Sequence, residues 1–129
     1  MRHYVYISTA AALDDGDIQA ILISSQRNNA LNELTGFLIY NGRNFLQLLE
    51  GPEAALRSLM TRLARDPRHN GIVPMADVPI TARSFAGWDM KQLHLAEDVS
   101  ARREKLAGAL LDTLDSEVRR IVLNFAALN

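Results

Sequence analysis

The order of strand-like and helix-like segments over the first 95 residues constrains the fold most strongly. Five segments have the β-branched, aromatic or apolar composition of strands: residues 3–9, 34–40, 44–51, 71–79 and 85–95. Two segments between them have the apolar spacing of amphipathic helices, residues 15–29 and 52–66. Asn41-Gly42 favours a two-residue hairpin turn between the second and third strands. The resulting order, β-α-β-β-α-β-β, predicts a ferredoxin-like α+β fold with both crossover helices on one sheet face.

The chain after residue 95 predicts a cap for the other sheet face. Apolar residues at helical spacing indicate two short amphipathic helices that are separated near Asp115. Strands 1 and 3 are apolar on both faces, and one layer of crossover helices covers only one of them. We therefore expect residues 1–95 to form the sheet domain and residues 96–129 to form a helical cap packed on the sheet.

Composition excludes several classes of function. The chain has 129 residues and a net charge of −1, so nothing electrostatic favours nucleic acid or an anionic membrane as a partner. The absence of cysteine excludes disulfides and thiolate metal sites, and no other metal site is predicted. No apolar run reaches the length of a membrane span, and no signal peptide is recognisable. These observations lead us to expect a soluble cytoplasmic protein.

Gln47 is the polar residue whose position most needs an explanation. Side chains alternate along a strand, so Gln47 shares one face with Phe45 and Leu49. An amide buried between two such neighbours costs about 1–3 kcal/mol for each hydrogen bond left unmade. A partner for this amide must therefore exist, either in the protein or in a ligand.

Other polar residues are expected near Gln47 if the crossover helices cover its face. Tyr4, Tyr6 and Ser8 alternate onto one face of strand 1, and Arg62 and Asp66 lie four apart on helix 2. Convergent polar groups between apolar helices suit a planar heterocyclic ligand. Each residue alone has an ordinary structural explanation, such as a core tyrosine, a solvated ion pair or, for Asn28-Asn29, a helix C-terminus. Composition and spacing thus indicate only a possible polar slot.

Five motifs lie in order along roughly residues 2–95: Tyr6-Ile7-Ser8, Ser24-Ser25-Gln26-Arg27-Asn28-Asn29, Leu34-Thr35-Gly36-Phe37-Leu38, Phe45-Leu46-Gln47-Leu48-Leu49-Glu50-Gly51 and Phe85-Ala86-Gly87-Trp88-Asp89-Met90. Together, and in this order, they resemble the BLUF domains, which are blue-light sensors that use FAD. Any one motif is weak, whereas the ordered set is specific.

The resemblance implies a role for each matching position. Tyr6 matches the photoactive electron and proton donor, and Gln47 matches the glutamine between that phenol and the flavin. The other residues that it implies for cofactor binding are Ile21, Arg27, Asn28, Asn29, Arg62, Leu63 and Asp66. Ser8, Trp88 and Met90 match the positions that relay the change at the glutamine, with either Trp88 or Met90 closer to the flavin. His69 falls in a matching segment without a defined role.

The resemblance also implies the function. It predicts a blue-light photoreceptor, not an enzyme, that binds FAD non-covalently, with FMN as the alternative cofactor. No output domain is recognisable, so we expect a short member that signals to a separate partner protein and forms a dimer or higher homo-oligomer. The alternative hypothesis is a light-insensitive ferredoxin-like module that binds a small molecule or a protein.

Overall fold

The computed structural model describes residues 1–9, 14–41, 44–65, 70–88, 91–92, 108 and 114–127. The elements in chain order are β1 (Arg2–Thr9), α1 (Asp15–Leu31), β2 (Thr35–Tyr40), β3 (Asn44–Gly51), α2 (Glu53–Leu63), β4 (Asn70–Pro79), β5 (Lys91–Gln92) and α3 (Ser116–Ala127). The predicted ferredoxin-like order is confirmed.

The connection between β2 and β3 is closed by Asn41 and Asn44. Asn41 Oδ1 accepts from the Asn44 N–H at 2.8 Å, and the Asn41 N–H donates to the Asn44 carbonyl at 3.2 Å. The β2–β3 register pairs Tyr40 with Phe45, so Asn41 belongs to the pair that closes the connection and is not, as predicted, the first residue of the turn. Gly42 itself lies outside the described residues.

The described strands form one sheet in the order β4-β1-β3-β2-β5. The β1–β3, β1–β4 and β2–β3 pairs are antiparallel, and the short β2–β5 pair is parallel. β1 and β3 are central, and Tyr6 lies directly opposite Gln47 in their register. Directly opposed residues point to the same face of a sheet, so these two side chains are neighbours.

Each face of the sheet has its own hydrophobic core. The core beneath α1 and α2 contains Tyr6, Ile21, Leu22, Leu34, Leu38, Phe45, Leu49, Leu56 and Leu59. The core on the opposite face combines sheet residues such as Val5 and Leu48 with Val118, Val122 and Phe125 of α3. A helical cap thus covers the second face, as predicted. The first predicted cap helix falls almost entirely outside the described residues.

Helix α1 begins where its acidic residues predict but ends later than expected. Asp14 caps it, since Asp14 Oδ1 accepts from the Asp17 N–H at 2.7 Å and Asp17 Oδ2 accepts from the Asp14 N–H at 3.2 Å. The predicted end at Asn29 is wrong, because the helix continues to Leu31. The left-handed conformation falls on Glu33 instead, with φ 58°.

Helix α2 and the fifth strand are both shorter than predicted. α2 ends at Leu63 and not at residue 66, and Pro52 is its extended N-cap. Phe85 to Trp88 form a turn instead of a strand, in which the Trp88 N–H donates to the Phe85 carbonyl at 3.0 Å and Gly87 has φ 100°. A strand cannot continue through that turn, so the described part of β5 is confined to Lys91–Gln92.

Candidate functional site

Tyr6 and Gln47 form a buried hydrogen-bonded pair at the centre of the sheet. The Tyr6 hydroxyl donates to Gln47 Oε1. The two residues are 0% and 4% exposed, respectively, so water does not compete for this bond. The register of β1 and β3 fixes the pair, because it places the two residues directly opposite each other. The structure therefore supplies the amide with a phenol as one partner.

Asn29 brings a second buried amide to the same side of the sheet. It lies seven residues after Leu22 on α1, so both side chains belong to the helix face that packs on the sheet. Its backbone carbonyl accepts from the Leu34 N–H at 2.9 Å, which ties the end of α1 to the start of β2. The side chain is 1% exposed, yet neither Nδ2 nor Oδ1 has a partner within the described parts of the chain. An amide in this state can bind a group that both donates and accepts hydrogen bonds.

The other predicted cofactor-binding residues divide into apolar walls and an outer rim. Ile21 is 3% exposed, and half-buried Leu63 packs against the same core. Asn28 is half-buried, whereas Arg27 and Arg62 are exposed. Asp66, the remaining predicted cofactor-binding residue, lies outside the described residues, as does His69, for which no role is predicted.

The structure separates the predicted relay residues. Ser8 is fully buried and lies opposite Phe45, on the face that carries Gln47. The ring of Trp88 packs instead in the core beneath α3, with centroids 4.8 Å from Phe85 and 6.1 Å from Phe37. Trp88 therefore does not share a core with Gln47, because the turn at its own segment directs it to the other face. Met90 lies outside the described residues.

Glu50 is a buried carboxylate for which the sequence pattern predicts no role. It is 0% exposed and accepts hydrogen bonds from His3 Nε2, Thr35 Oγ1 and the backbone N–H groups of Ser84 and Phe85. Burial alone would raise the pKa of the Glu50 carboxyl, but these four hydrogen bonds outweigh burial and hold the pKa below its ordinary value. The sequence feature that could have identified Glu50 is its position as a carboxylate at the end of an otherwise apolar strand.

The described residues show neither a candidate metal site nor a candidate membrane-spanning helix. No group of three or more histidine, aspartate or glutamate side chains among them could hold a metal ion. None of their helices combines the length and hydropathy that crossing a bilayer requires.

Comparisons with known proteins agree on one family. Residues 1–91 match the BLUF family, described as sensors of blue-light using FAD. The blue light- and temperature-regulated antirepressor BluF of Escherichia coli K12 is 37% identical over 82 residues, which cover 62% of this chain and 20% of that protein. The chain spans between 11% and 20% of the length of the first curated relatives that it matches.

Solved structures give the same result. Klebsiella pneumoniae BlrP1 with FMN and cyclic diGMP is 27% identical and superimposes with a TM-score of 0.83, over 98% of this chain and 34% of that one. The dark-state structure of the BLUF protein BlrB is 31% identical, with a TM-score of 0.73 over 96% of both chains. With a family match over residues 1–91 and a similarity to BlrB along nearly the whole chain, this protein belongs to the BLUF family of flavin-using blue-light sensors.

Proposed function

We propose that this chain is a blue-light photoreceptor in which Tyr6 and Gln47 carry out the light reaction beside a non-covalently bound flavin. The observation that carries the proposal is the buried Tyr6–Gln47 hydrogen bond, on the sheet face that also receives the unpartnered amide of Asn29. If Tyr6 only filled the core and Asn29 only ended a helix, neither would need to lie on the same sheet face as Gln47. A flavin ring system, which carries both carbonyl and N–H groups, fits the hydrogen-bonding demand of Asn29.

The residues proposed to hold the flavin are those that the family resemblance implies, and the burial of the described ones supports the proposal. Asn29 would bind the polar edge of the ring system, and Ile21 and Leu63 would contact its apolar faces. The proposed rim, which would contact the remaining polar parts of the cofactor, consists of Arg27, Asn28 and Arg62. Asp66 lies outside the described residues and is proposed for cofactor binding on the family resemblance alone. FAD is the proposed cofactor because the family description names it. FMN is the alternative, since the Klebsiella pneumoniae BlrP1 structure contains it.

The chemistry assigns complementary roles to the paired side chains. A bound flavin supplies blue-light absorption and, once excited, a one-electron oxidant. Tyr6 would give an electron to the bound flavin, and its hydroxyl proton would follow to the flavin along the hydrogen bond to Gln47 Oε1. Both the electron and the proton would then return to Tyr6. Gln47 retains the change, because its amide can exchange donor and acceptor ends by rotation or tautomerisation with little change of shape.

The signal would leave the site through the protein and end at a partner. Ser8, Trp88 and Met90 are the proposed relay residues, and residues 96–129 are the proposed cap that responds. We assign the sensor to residues 1–95, with no catalytic turnover of its own. A separate cytoplasmic protein would receive the signal from a dimer or higher oligomer of this chain. The antirepressor and adenylate cyclase functions in the names of the relatives support a regulatory output.

The absorption spectrum of purified protein under blue light tests this proposal. We expect bound flavin with a red shift in the light that recovers in darkness. Tyr6→Phe should bind flavin but lose the red shift, since only the hydroxyl is removed. Tyr4→Phe is the matched control, because Tyr4 lies on the same face of β1 with its ring 6.4 Å from that of Tyr6. Protein that takes up no flavin would instead favour the light-insensitive module.

A further inference from the structure

The Glu50 carboxylate is fully used as a hydrogen-bond acceptor. It receives bonds from His3 Nε2 at 2.7 Å, Thr35 Oγ1 at 2.9 Å, the Ser84 N–H at 2.9 Å and the Phe85 N–H at 2.6 Å. A carboxylate offers about four lone-pair sites, and four donors meet them here. These five residues form the Glu50 network. Because the carboxylate at its centre is buried, its bonds are shielded from water.

The Glu50 network holds the turn that carries Trp88. The N–H groups of Ser84 and Phe85 begin this turn, and the carboxylate binds both. At the other end the Trp88 carbonyl accepts from the Gly36 N–H at 2.9 Å. Gly36 follows Thr35, itself a member of the network, so both ends of the turn are tied to the same short stretch of sheet.

Arg83 reinforces the attachment from the residue before the turn. Its guanidinium donates to Thr35 Oγ1 at 2.9 Å, to the Glu50 carbonyl at 3.0 Å and to the Glu33 carbonyl at 2.6 Å. A planar guanidinium with several fixed donors suits such a multiple contact. The turn is therefore attached to the start of β2 and the end of β3 by the charged groups of Glu50 and Arg83 together with the Gly36–Trp88 backbone hydrogen bond.

The turn also packs against the cap. Phe85 is 1% exposed and contacts the rings of Phe37 and Trp88, with centroids at 5.2 Å and 4.8 Å. The same core includes Val118 and Val122 of α3, both fully buried. Close-packed cores transmit displacements between neighbouring side chains, so movement of the turn would displace side chains of α3.

We infer that Glu50 is a positioning residue that couples the light reaction to the α3 face by fixing the turn that carries Trp88. Glu50 lies three residues after Gln47 on β3, so strand alternation directs it to the opposite face of the sheet. A change at Gln47 that shifts β3 would thus reach the turn through the Glu50 carboxylate. This inference rests on the proposed light reaction.

Glu50→Gln in the full-length, flavin-loaded protein tests the inference. Glutamine keeps one oxygen acceptor but replaces the other with an NH₂ group, which cannot accept from a backbone N–H. Trp88 is the only tryptophan, so its fluorescence quenching by acrylamide reports on this turn alone. Glu53→Gln is the matched control, because Glu53 is exposed on α2 and pairs with Arg57.

We expect the wild type and Glu53→Gln to show a light-dependent change in Trp88 quenching. Glu50→Gln should keep the flavin red shift but reduce that change about tenfold, the effect of one charge-assisted hydrogen bond. Thr35→Val removes one hydrogen-bond donor to Glu50 and keeps the side-chain shape, so it should reduce the light-dependent change in Trp88 quenching by a smaller factor. This variant tests the inference if Glu50→Gln does not fold. An unchanged Trp88 response in either network variant, or no response in the wild type, would overturn the inference. A wild-type protein that binds flavin but shows no red shift in blue light would instead refute the proposed light reaction itself.

Discussion

Asn29→Leu should stabilise the flavin-free protein, which is the reverse of the usual effect of changing a buried residue. Asn29 is 1% exposed, and both polar atoms of its side chain lack partners among the described residues. Each unpaired buried polar group costs about 1–3 kcal/mol, and leucine has a similar size without polar atoms. Taking the lower end for both atoms, we expect the free energy of unfolding to rise by about 2 kcal/mol. For a domain of this length that corresponds to roughly 8 °C in Tm.

The same substitution should weaken flavin binding. If the Asn29 amide binds the polar edge of the flavin, leucine removes those hydrogen bonds and leaves groups of the flavin unpaired. We expect the Kd to rise about 10- to 100-fold. Thermal unfolding with and without flavin, together with a fluorescence titration of flavin into the flavin-free protein, measures both effects.

The opposite signs of the two effects make the prediction specific. Asn124→Leu is the control, since Asn124 is exposed on α3, away from the site. In this variant the free energy of unfolding should not rise and the flavin Kd should not change. A flavin-free Asn29→Leu protein that melts lower than the wild type, with unchanged flavin affinity, would refute the assignment of Asn29 as a ligand-binding amide.

Three further predictions concern the scaffold. Gly36→Ala should destabilise the protein by about 3 kcal/mol in chemical denaturation, because the new Cβ would lie 1.8 Å from the Leu48 carbonyl oxygen. A variant as stable as the wild type would refute this close contact between the β2 and β3 backbones. Phe125→Ala should cost about 3–5 kcal/mol in the same assay, since Phe125 is 3% exposed in the core beneath α3, and a neutral result would refute that packing. The lowered pKa of Glu50 means that its contribution to stability is complete above the ordinary value of 4.5 and is lost as the pH falls through the folded-state pKa. The free energy of unfolding, followed by circular dichroism, should therefore fall less steeply with decreasing pH in Glu50→Gln than in the wild type. Identical slopes in the two proteins would contradict the lowered pKa of Glu50.

The architecture was predictable because local signals agreed with one another. Helical spacing, strand composition and the Asn41-Gly42 pair all indicate the same element order. The end of α1 was not predictable, because Asn29 could either terminate a helix or face the core, and only the packing of α1 on the sheet decides between these. Glu33 takes the left-handed conformation although nothing in the local sequence requires it.

The site was predictable to the extent that it depends on strand alternation and register. Once the β3 strand is placed beside β1, Tyr6 faces Gln47. The position of Trp88 was not predictable, since the turn that carries it is held by Glu50, a residue 35 positions earlier in the chain than Phe85. Local composition favours a strand there, but tertiary hydrogen bonds to a buried carboxylate prevail over that local preference.

The light-minus-dark absorption spectrum of flavin-loaded Gln47→Leu, recorded beside the wild type, tests the central claim most directly. Leucine keeps the approximate volume of Gln47 but removes the amide that accepts the Tyr6 hydrogen bond. We predict that the wild type shows a red shift that recovers in darkness, and that Gln47→Leu binds flavin without any such shift. A reversible red shift of wild-type size in Gln47→Leu would contradict the claim that this amide is the light-driven switch.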